Sequence, residues 1–243
     1  MISAKSHAGE ARPQLAISRR PSTEVQVMDI AIIGSGNVGS ALARSFTRSG
    51  HTVTITARDP EHAVETASST GANVADSNPA AVTGAEVVVL AVPFASAPDI
   101  AADIRDLVDG KVLVDVTNRM SFGADGPDMD TSISNAEELA ALLPTAHVVK
   151  AFNTLFASNQ ADPVLDDVQL DGFVAGDDAA AKAKVLKLVA SIGLEPVDVG
   201  PLARARQLEA LAFLNITLNA AHDGAWRSGW KLVAAPQTTD VRS

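Results

Sequence analysis

Met28-Asp29-Ile30-Ala31-Ile32-Ile33-Gly34-Ser35-Gly36-Asn37-Val38-Gly39 is the stretch that decides the fold of this 243-residue chain. Its first half is an apolar run bounded by Asp29 and Gly34, the length of one buried strand. Its second half is a GxGxxG loop, and the spacing behind it predicts a helix over residues 37–49. That helix puts Val38, Ala41, Leu42, Ser45 and Phe46 on one side and stops at Gly50. A strand over residues 52–56 completes a β-α-β unit. Alone the glycine pattern is weak, but between an apolar strand and an amphipathic helix it reads as a dinucleotide-binding loop. Gly34 permits the tight turn, Gly36 lets the backbone approach a pyrophosphate, and Gly39 lets helix pack on strand. Free N–H groups and partial positive charge at the helix start then face the phosphates.

The end of the second strand selects the nucleotide. An NAD site places Asp or Glu there to hold the ribose hydroxyls. This chain reads Thr56-Ala57-Arg58-Asp59. A carboxylate at the tip would repel a 2′-phosphate, whereas a guanidinium holds one through a fork of charge-assisted hydrogen bonds. NADP is therefore the expected cofactor. Asp59, just before Pro60, is expected to turn away and cap the next helix.

Composition narrows the class. At 47% hydrophobic and 20% charged residues the chain is in the globular range. With no cysteine, thiolate metal sites, disulfides and thiol catalysis are excluded, and a reducing, cytoplasmic setting is consistent. No apolar run approaches the roughly 20 residues that span a bilayer. The net charge of −10, without a basic stripe, argues against nucleic acid as partner. It fits either a salt-adapted host or ordinary solubility.

Residues 1–27 are polar, rich in Ser, Pro and Arg, and without periodicity, so they read as a disordered extension or a start placed too far upstream. From Met28 onward strand and helix signals alternate, predicting an α/β fold: a Rossmann-type, mostly parallel sheet flanked by helices. Residues 28–150 are expected to form the NADP-binding domain. Residues 151–233 should form a smaller C-terminal α/β part for the acceptor and for dimerisation, with 234–243 a tail. Residues 117–134, rich in Gly, Asp and Ser, are expected to be a mobile loop or lid. The long helix over residues 202–221 reads as apolar almost all round (Leu208, Leu211, Ala212, Phe213, Leu214, Ile216, Leu218), which suggests a subunit interface and a homodimer.

Three further stretches fall at strand ends, where an open α/β sheet puts its ligand crevice: Val92-Pro93-Phe94, Asp115-Val116-Thr117-Asn118 and Lys150-Ala151-Phe152-Asn153-Thr154. Each is also compatible with plain turn chemistry, and Phe94, Met120 and Phe152 with a place in the core. The five histidines (His7, His51, His62, His147, His222) show no metal spacing and no nucleophile partner and read as surface or structural. No acid–base pair is legible.

With these stretches in hand, the chain resembles the NADPH-dependent coenzyme F420 reductases from Met28 to about Val233. The resemblance is carried by the loop at 33–39, Ala57-Arg58, Val92-Pro93-Phe94, the stretches at 174–178 and 199–206, and the closing Gly229-Trp230-Lys231-Leu232. The most family-specific of these is Asp-x-Gly-Pro-Leu at 198–202. Lys150 to Thr154 is also similar to the cytoplasmic nucleotide domain of six-transmembrane metalloreductases. The resemblance implies direct hydride transfer between a nicotinamide and a deazaflavin stacked at roughly 3–3.5 Å, catalysis by positioning that needs no side-chain acid or base. It implies that Ser35, Gly36, Asn37, Val38, Ala57 and Arg58 hold the adenosine phosphates and pyrophosphate, with His62 near the 2′-phosphate. Phe94, Pro98, Met120 and Ala157 would line the nicotinamide side, and Leu155 would touch the deazaflavin. Asn153, where better-known members carry histidine, Phe156, in place of proline, and Ser228, at an apolar position, depart from the pattern. All three lie on the acceptor side. Two other readings stay open: an NADPH-dependent reductase of flavin or of a small carbonyl or imine, and a non-catalytic NADP(H)-binding module.

Overall fold

The computed structural model describes residues 26–123, 126–222 and 224–233. The expected N-terminal extension, apart from Gln26 and Val27, and the expected C-terminal tail lie outside the described residues. The chain opens with β1 (Asp29–Ile33), α1 (Asn37–Arg48), β2 (Thr52–Thr56), α2 (Pro60–Thr70), β3 (Asn73–Val74) and α3 (Asn78–Thr83). It continues through β4 (Val87–Leu90), α4 (Ala97–Ile104), β5 (Val112–Asp115), β6 (Met120–Gly123), β7 (Gly126–Met129), α5 (Asn135–Leu142) and β8 (His147–Lys150). It closes with α6 (Ala157–Ala161), β9 (Val164–Leu165), β10 (Val168–Gln169), β11 (Asp171–Gly176), α7 (Ala179–Ser191), β12 (Glu195–Gly200) and α8 (Ala205–Ala221).

One eight-stranded sheet, in the order β12-β11-β8-β5-β4-β1-β2-β3, forms the middle layer. The six strands from β8 to β3 run parallel, whereas β11 pairs antiparallel with β8 and carries β12 parallel to itself. The sheet therefore continues past residue 150, the boundary expected between the two parts. Ile30 to Ile33 and Val87 to Leu90 are buried on both faces, which is why these strands read as unbroken apolar runs. Alternation along them sorts the core into two layers. Ile30, Ile32, Val87 and Val89 pack with Leu42 and Phe46 of α1 and Leu188 of α7. Ala31, Ile33, Val88 and Leu90 pack with Val82 of α3, Ile104 of α4 and Leu139 of α5. Asp59 caps α2 as expected, its carboxylate accepting from the Glu61 N–H at 3.0 Å.

Two expectations are corrected. Residues 117–134 are not loop throughout: β6 and β7 pair antiparallel as a ribbon, with Met120 opposite Met129. A capping box at Ser134 and Glu137 then starts α5. The long C-terminal helix α8 exists, 17 residues of it, but it is not apolar and buried all round. Its inner face takes Glu209, Asn215 and Asn219 below 8% exposure, while Leu214 and Leu218 are nearly half exposed. The polar side chains go inward because each finds hydrogen-bond partners there.

Candidate active site

β1 and β4 are neighbours whose chains leave in opposite directions, β1 towards β2 and β4 towards β5. At such a switch point the connecting loops part and leave a crevice beyond the strand ends. The glycine loop fills its edge. Gly34 has φ +111°, and a Cβ there would lie 2.2 Å from the Ala91 carbonyl oxygen. A Cβ at Gly39 would lie 1.9 Å from the Gly34 carbonyl oxygen, so neither position admits a side chain. Gly36 differs: a Cβ there would meet nothing within 4 Å, and the space it leaves lies at the uncapped start of α1. The loop is pinned from below by the Gly34 N–H donating to the Thr56 carbonyl at 2.8 Å and by the Ser40 hydroxyl donating to the Ser35 carbonyl at 2.8 Å.

A cleft of about 890 Å³ runs from this loop along the α1–α2 side and past the ends of β5 and β8. It reaches Ala212 and Ile216 of α8 and the rim residue Trp226. Of the expected site residues, Ser35, Gly36, Asn37, Val38, His62, Leu155 and Ala157 line it. Gly34 and Gly39 shape the loop from behind. Ala57 and Arg58 follow β2 outside the cleft; the exposed Arg58 makes no ion pair among the described residues. Phe94, in a short 3-10 turn, Pro98, in the first turn of α4, and Met120, at the start of β6, follow strand ends too but do not line the cleft. Phe94 instead lies under the Arg119 guanidinium, 5.9 Å from ring centroid to carbon. His51 is buried and structural, as expected: its Nδ1 accepts from the Met28 N–H at 3.2 Å, and burial lowers its pKa.

The charge cluster behind the cleft was not legible as such. Lys150, at 0% exposure, donates to Asp115 Oδ2 at 2.8 Å, to Glu209 Oε1 at 2.7 Å and to the Thr117 carbonyl at 2.5 Å. Glu209 also accepts from the Arg119 N–H at 3.1 Å and the Asn135 N–H at 3.0 Å, and Asp115 from the Thr117 N–H at 3.0 Å. One ammonium thus ties the ends of β5 and β8, the loop before β6, the start of α5 and the flank of α8. The signal was present in the sequence as two lone charges in apolar surroundings, Lys150 after Val148-Val149 and Glu209 after Leu208. In the next shell Arg206 and the Ser134 cap hold the Glu137 carboxyl down at about 2, Arg206 being the larger cause.

Beyond the cluster the chain makes a sharp turn in which Phe152 takes φ +62° and stacks edge-on against Phe46 at 5.8 Å. A non-glycine residue in this region is strained, and the strain aims the following residues at the cleft. Asn153 bonds Asn118 across the two strand ends, its amide donating to Asn118 Oδ1 at 2.9 Å. Trp226 stands at the rim, 47% exposed, against Phe156 at 5.4 Å. Among the described residues Arg44, His62 and Glu65 are the only acidic or basic side chains lining the cleft, and all three belong to α1 or α2.

A doubly wound sheet with a pinned glycine loop at its switch point, opening on a cleft beyond the strand ends, defines a Rossmann-type nucleotide-binding fold. Comparison with known proteins resolves it further. A family model described as NADP oxidoreductase, coenzyme F420-dependent, matches residues 29–119. The F420-dependent NADP reductase of Methanothermobacter thermautotrophicus is 34% identical over 216 residues, covering 81% of this chain and 91% of that protein. A crystal structure of a provisionally assigned F420-dependent NADP-reductase from Arthrobacter sp. FB24 superposes with a TM-score of 0.77. It is 32% identical, over 85% of this chain and 99% of that one. The metalloreductase STEAP3 of Rattus norvegicus is 33% identical over 183 residues, 75% of this chain but 36% of that protein's length. The chain thus spans little more than a third of the metalloreductases it matches. It belongs to the F420-dependent NADP oxidoreductase family. No helix among the described residues is long and apolar enough to cross a membrane.

Proposed function

We propose that the protein is an oxidoreductase that moves hydride directly between NADP(H) and a deazaflavin, coenzyme F420. The observation that carries this reading is the make-up of the cleft. It runs unbroken from the phosphate loop to the residues after β8, and among the described residues its ionisable side chains all sit at the α1–α2 end. Reduction of a ketone needs a proton donor beside the carbonyl oxygen. Hydride transfer into a deazaflavin does not, because the ring system itself spreads the incoming charge. An acceptor end that positions rings and holds no ionisable side chain among the described residues suits the second chemistry.

The residues present fit a dinucleotide. The space left by the missing Gly36 Cβ and the uncapped start of α1 form a cradle for a pyrophosphate. Ser35, Gly36, Asn37 and Val38 would hold it, with Ala57, Arg58 and His62 around the 2′-phosphate. When bound, NADPH supplies the hydride. The chain's own part is to orient the rings, with Asn153, Leu155 and Ala157 on the cleft wall and Trp226 and Phe156 at its rim. Phe94, Pro98 and Met120 belong in this reading to the nicotinamide flank. Residues 28–150 serve the nucleotide and 151–233 the acceptor, and the exposed Leu214 and Leu218 of α8 form the contact with a second copy.

Mixing the protein with NADPH and oxidised F420 tests the proposal. The deazaflavin absorbance band bleaches if it is right. Oxidation of NADPH by free flavin or by a carbonyl panel, with F420 untouched, would overturn it.

A further inference from the structure

The buried cluster at the ends of β5 and β8 holds more negative than positive charge. One ammonium, Lys150, faces two carboxylates, Asp115 and Glu209, and all three side chains are at or below 1% exposure. Every carboxylate oxygen takes a donor. Asp115 Oδ2 and Glu209 Oε1 accept from the ammonium, Asp115 Oδ1 from the Thr117 N–H, and Glu209 Oε2 from the Arg119 N–H. The ammonium spends its third N–H on the Thr117 carbonyl. A carboxyl hydrogen would be set against one of these donors, so the network is built for two carboxylates and is left one negative charge in excess. Among the described residues no other cation pairs with either acid: the Arg119 side chain goes to Asp130 and Glu138, and that of Arg206 to Glu137.

An unbalanced interior charge costs free energy and favours a cation that comes near it. Thr117, whose carbonyl takes the ammonium, sits between Val116 and Asn118, and both of these line the cleft. Phe152 and Asn153, which follow Lys150 after one residue, line it too. The excess charge therefore lies just behind the cleft wall beyond β5 and β8. We infer, on the reading proposed above in which the nicotinamide lies past the switch point on this side, that Asp115 and Glu209 set the oxidation state the site prefers. Acting through space and without contact, their excess charge favours the cationic ring of NADP+ over the neutral ring of NADPH. Giving up a hydride, a proton with two electrons, leaves the ring one unit more positive. The phosphates are the same in both forms, so they do not contribute to the difference.

Titration of the full chain with NADPH, followed by the nucleotide's own fluorescence, and displacement by NADP+ give the ratio of the two affinities. Glu209→Gln and Asp115→Asn each remove the excess charge. In both, the affinity for NADP+ falls relative to that for NADPH by roughly tenfold, the scale of one unit charge acting across a layer of protein. Glu209→Asp keeps the charge on a shorter arm and keeps the native ratio, even where it weakens both nucleotides. Lost packing moves both affinities together, so the ratio reads charge rather than fold, and either neutral variant serves if the other does not fold. An unmoved ratio in a folded neutral variant overturns the inference, as does a Glu209→Asp ratio that shifts as far as that of Glu209→Gln. If the native protein binds neither nucleotide, the proposed function falls first, and that outcome is visible before any variant is made.

Discussion

Replacing Lys150 by methionine removes one charge and keeps most of the side-chain volume. Its ammonium contacts two carboxylates, Asp115 at 2.8 Å and Glu209 at 2.7 Å, and all three side chains are at or below 1% exposure. The variant leaves both carboxylates in the protein interior with only backbone and amide donors to hold them. Breaking a buried pair in this way costs about 3–5 kcal/mol. For a chain of this size that lowers the melting temperature by roughly 6–20 °C. Adding Glu209→Gln removes one of the two stranded charges and keeps an acceptor for the backbone, so the double variant melts above the single one. Circular-dichroism melts at pH 7.5 read both effects. A single variant that melts within about 2 °C of the native protein at pH 7.5, or a double variant that melts below the single one, refutes the account of the cluster as a unit coupled by charge.

Arg58→Ala loses preference for NADPH over NADH by roughly 1.5–3 kcal/mol, about ten- to a hundredfold in the ratio of affinities; equal losses for both nucleotides would remove Arg58 from the 2′-phosphate. The glycines of the loop separate folding from binding. Gly39→Ala, with its Cβ 1.9 Å from the Gly34 carbonyl oxygen, lowers the melting temperature, whereas Gly36→Ala melts like the native protein and binds NADP+ more weakly. The reverse pattern in melting and titration would count against the cradle. His51 is neutral in the folded chain because burial lowers its pKa. The unfolded chain takes the proton more readily, so stability is full above pH 6.5 and declines as pH falls below that value towards the folded pKa. Between pH 7.5 and 5.5 the native protein therefore loses stability more steeply than His51→Gln, and parallel melting curves would contradict this.

Local spacing was enough for the nucleotide half. The run from Asp29 to Gly39 carries its strand, its loop and the start of its helix in consecutive residues. Apolar periodicity and glycine placement act over a single turn or strand, and so they are visible without the fold. The same holds for Asp59 capping α2 and for the absence of an acid at the tip of β2. The reading was poorer where partners are distant in sequence. Residues 117–134 hold a ribbon whose pairing depends on the Arg119–Asp130 and Arg119–Glu138 contacts and on Glu209 from α8. The period of α8 suggested an apolar rod, but burial of Glu209, Asn215 and Asn219 is decided by donors that other elements bring to them.

By itself the sequence determined the β-α-β unit, the phosphate loop and the preference expected at Arg58, because each rests on neighbours in the chain. Only the tertiary structure decided that Lys150 is a buried tie between two carboxylates 35 and 59 residues away. Only it left the side-chain oxygens of Asn153 and Gln160 buried without a partner among the described residues. Whether a buried polar atom is satisfied is a property of everything packed around it, and spacing along the chain carries no record of that.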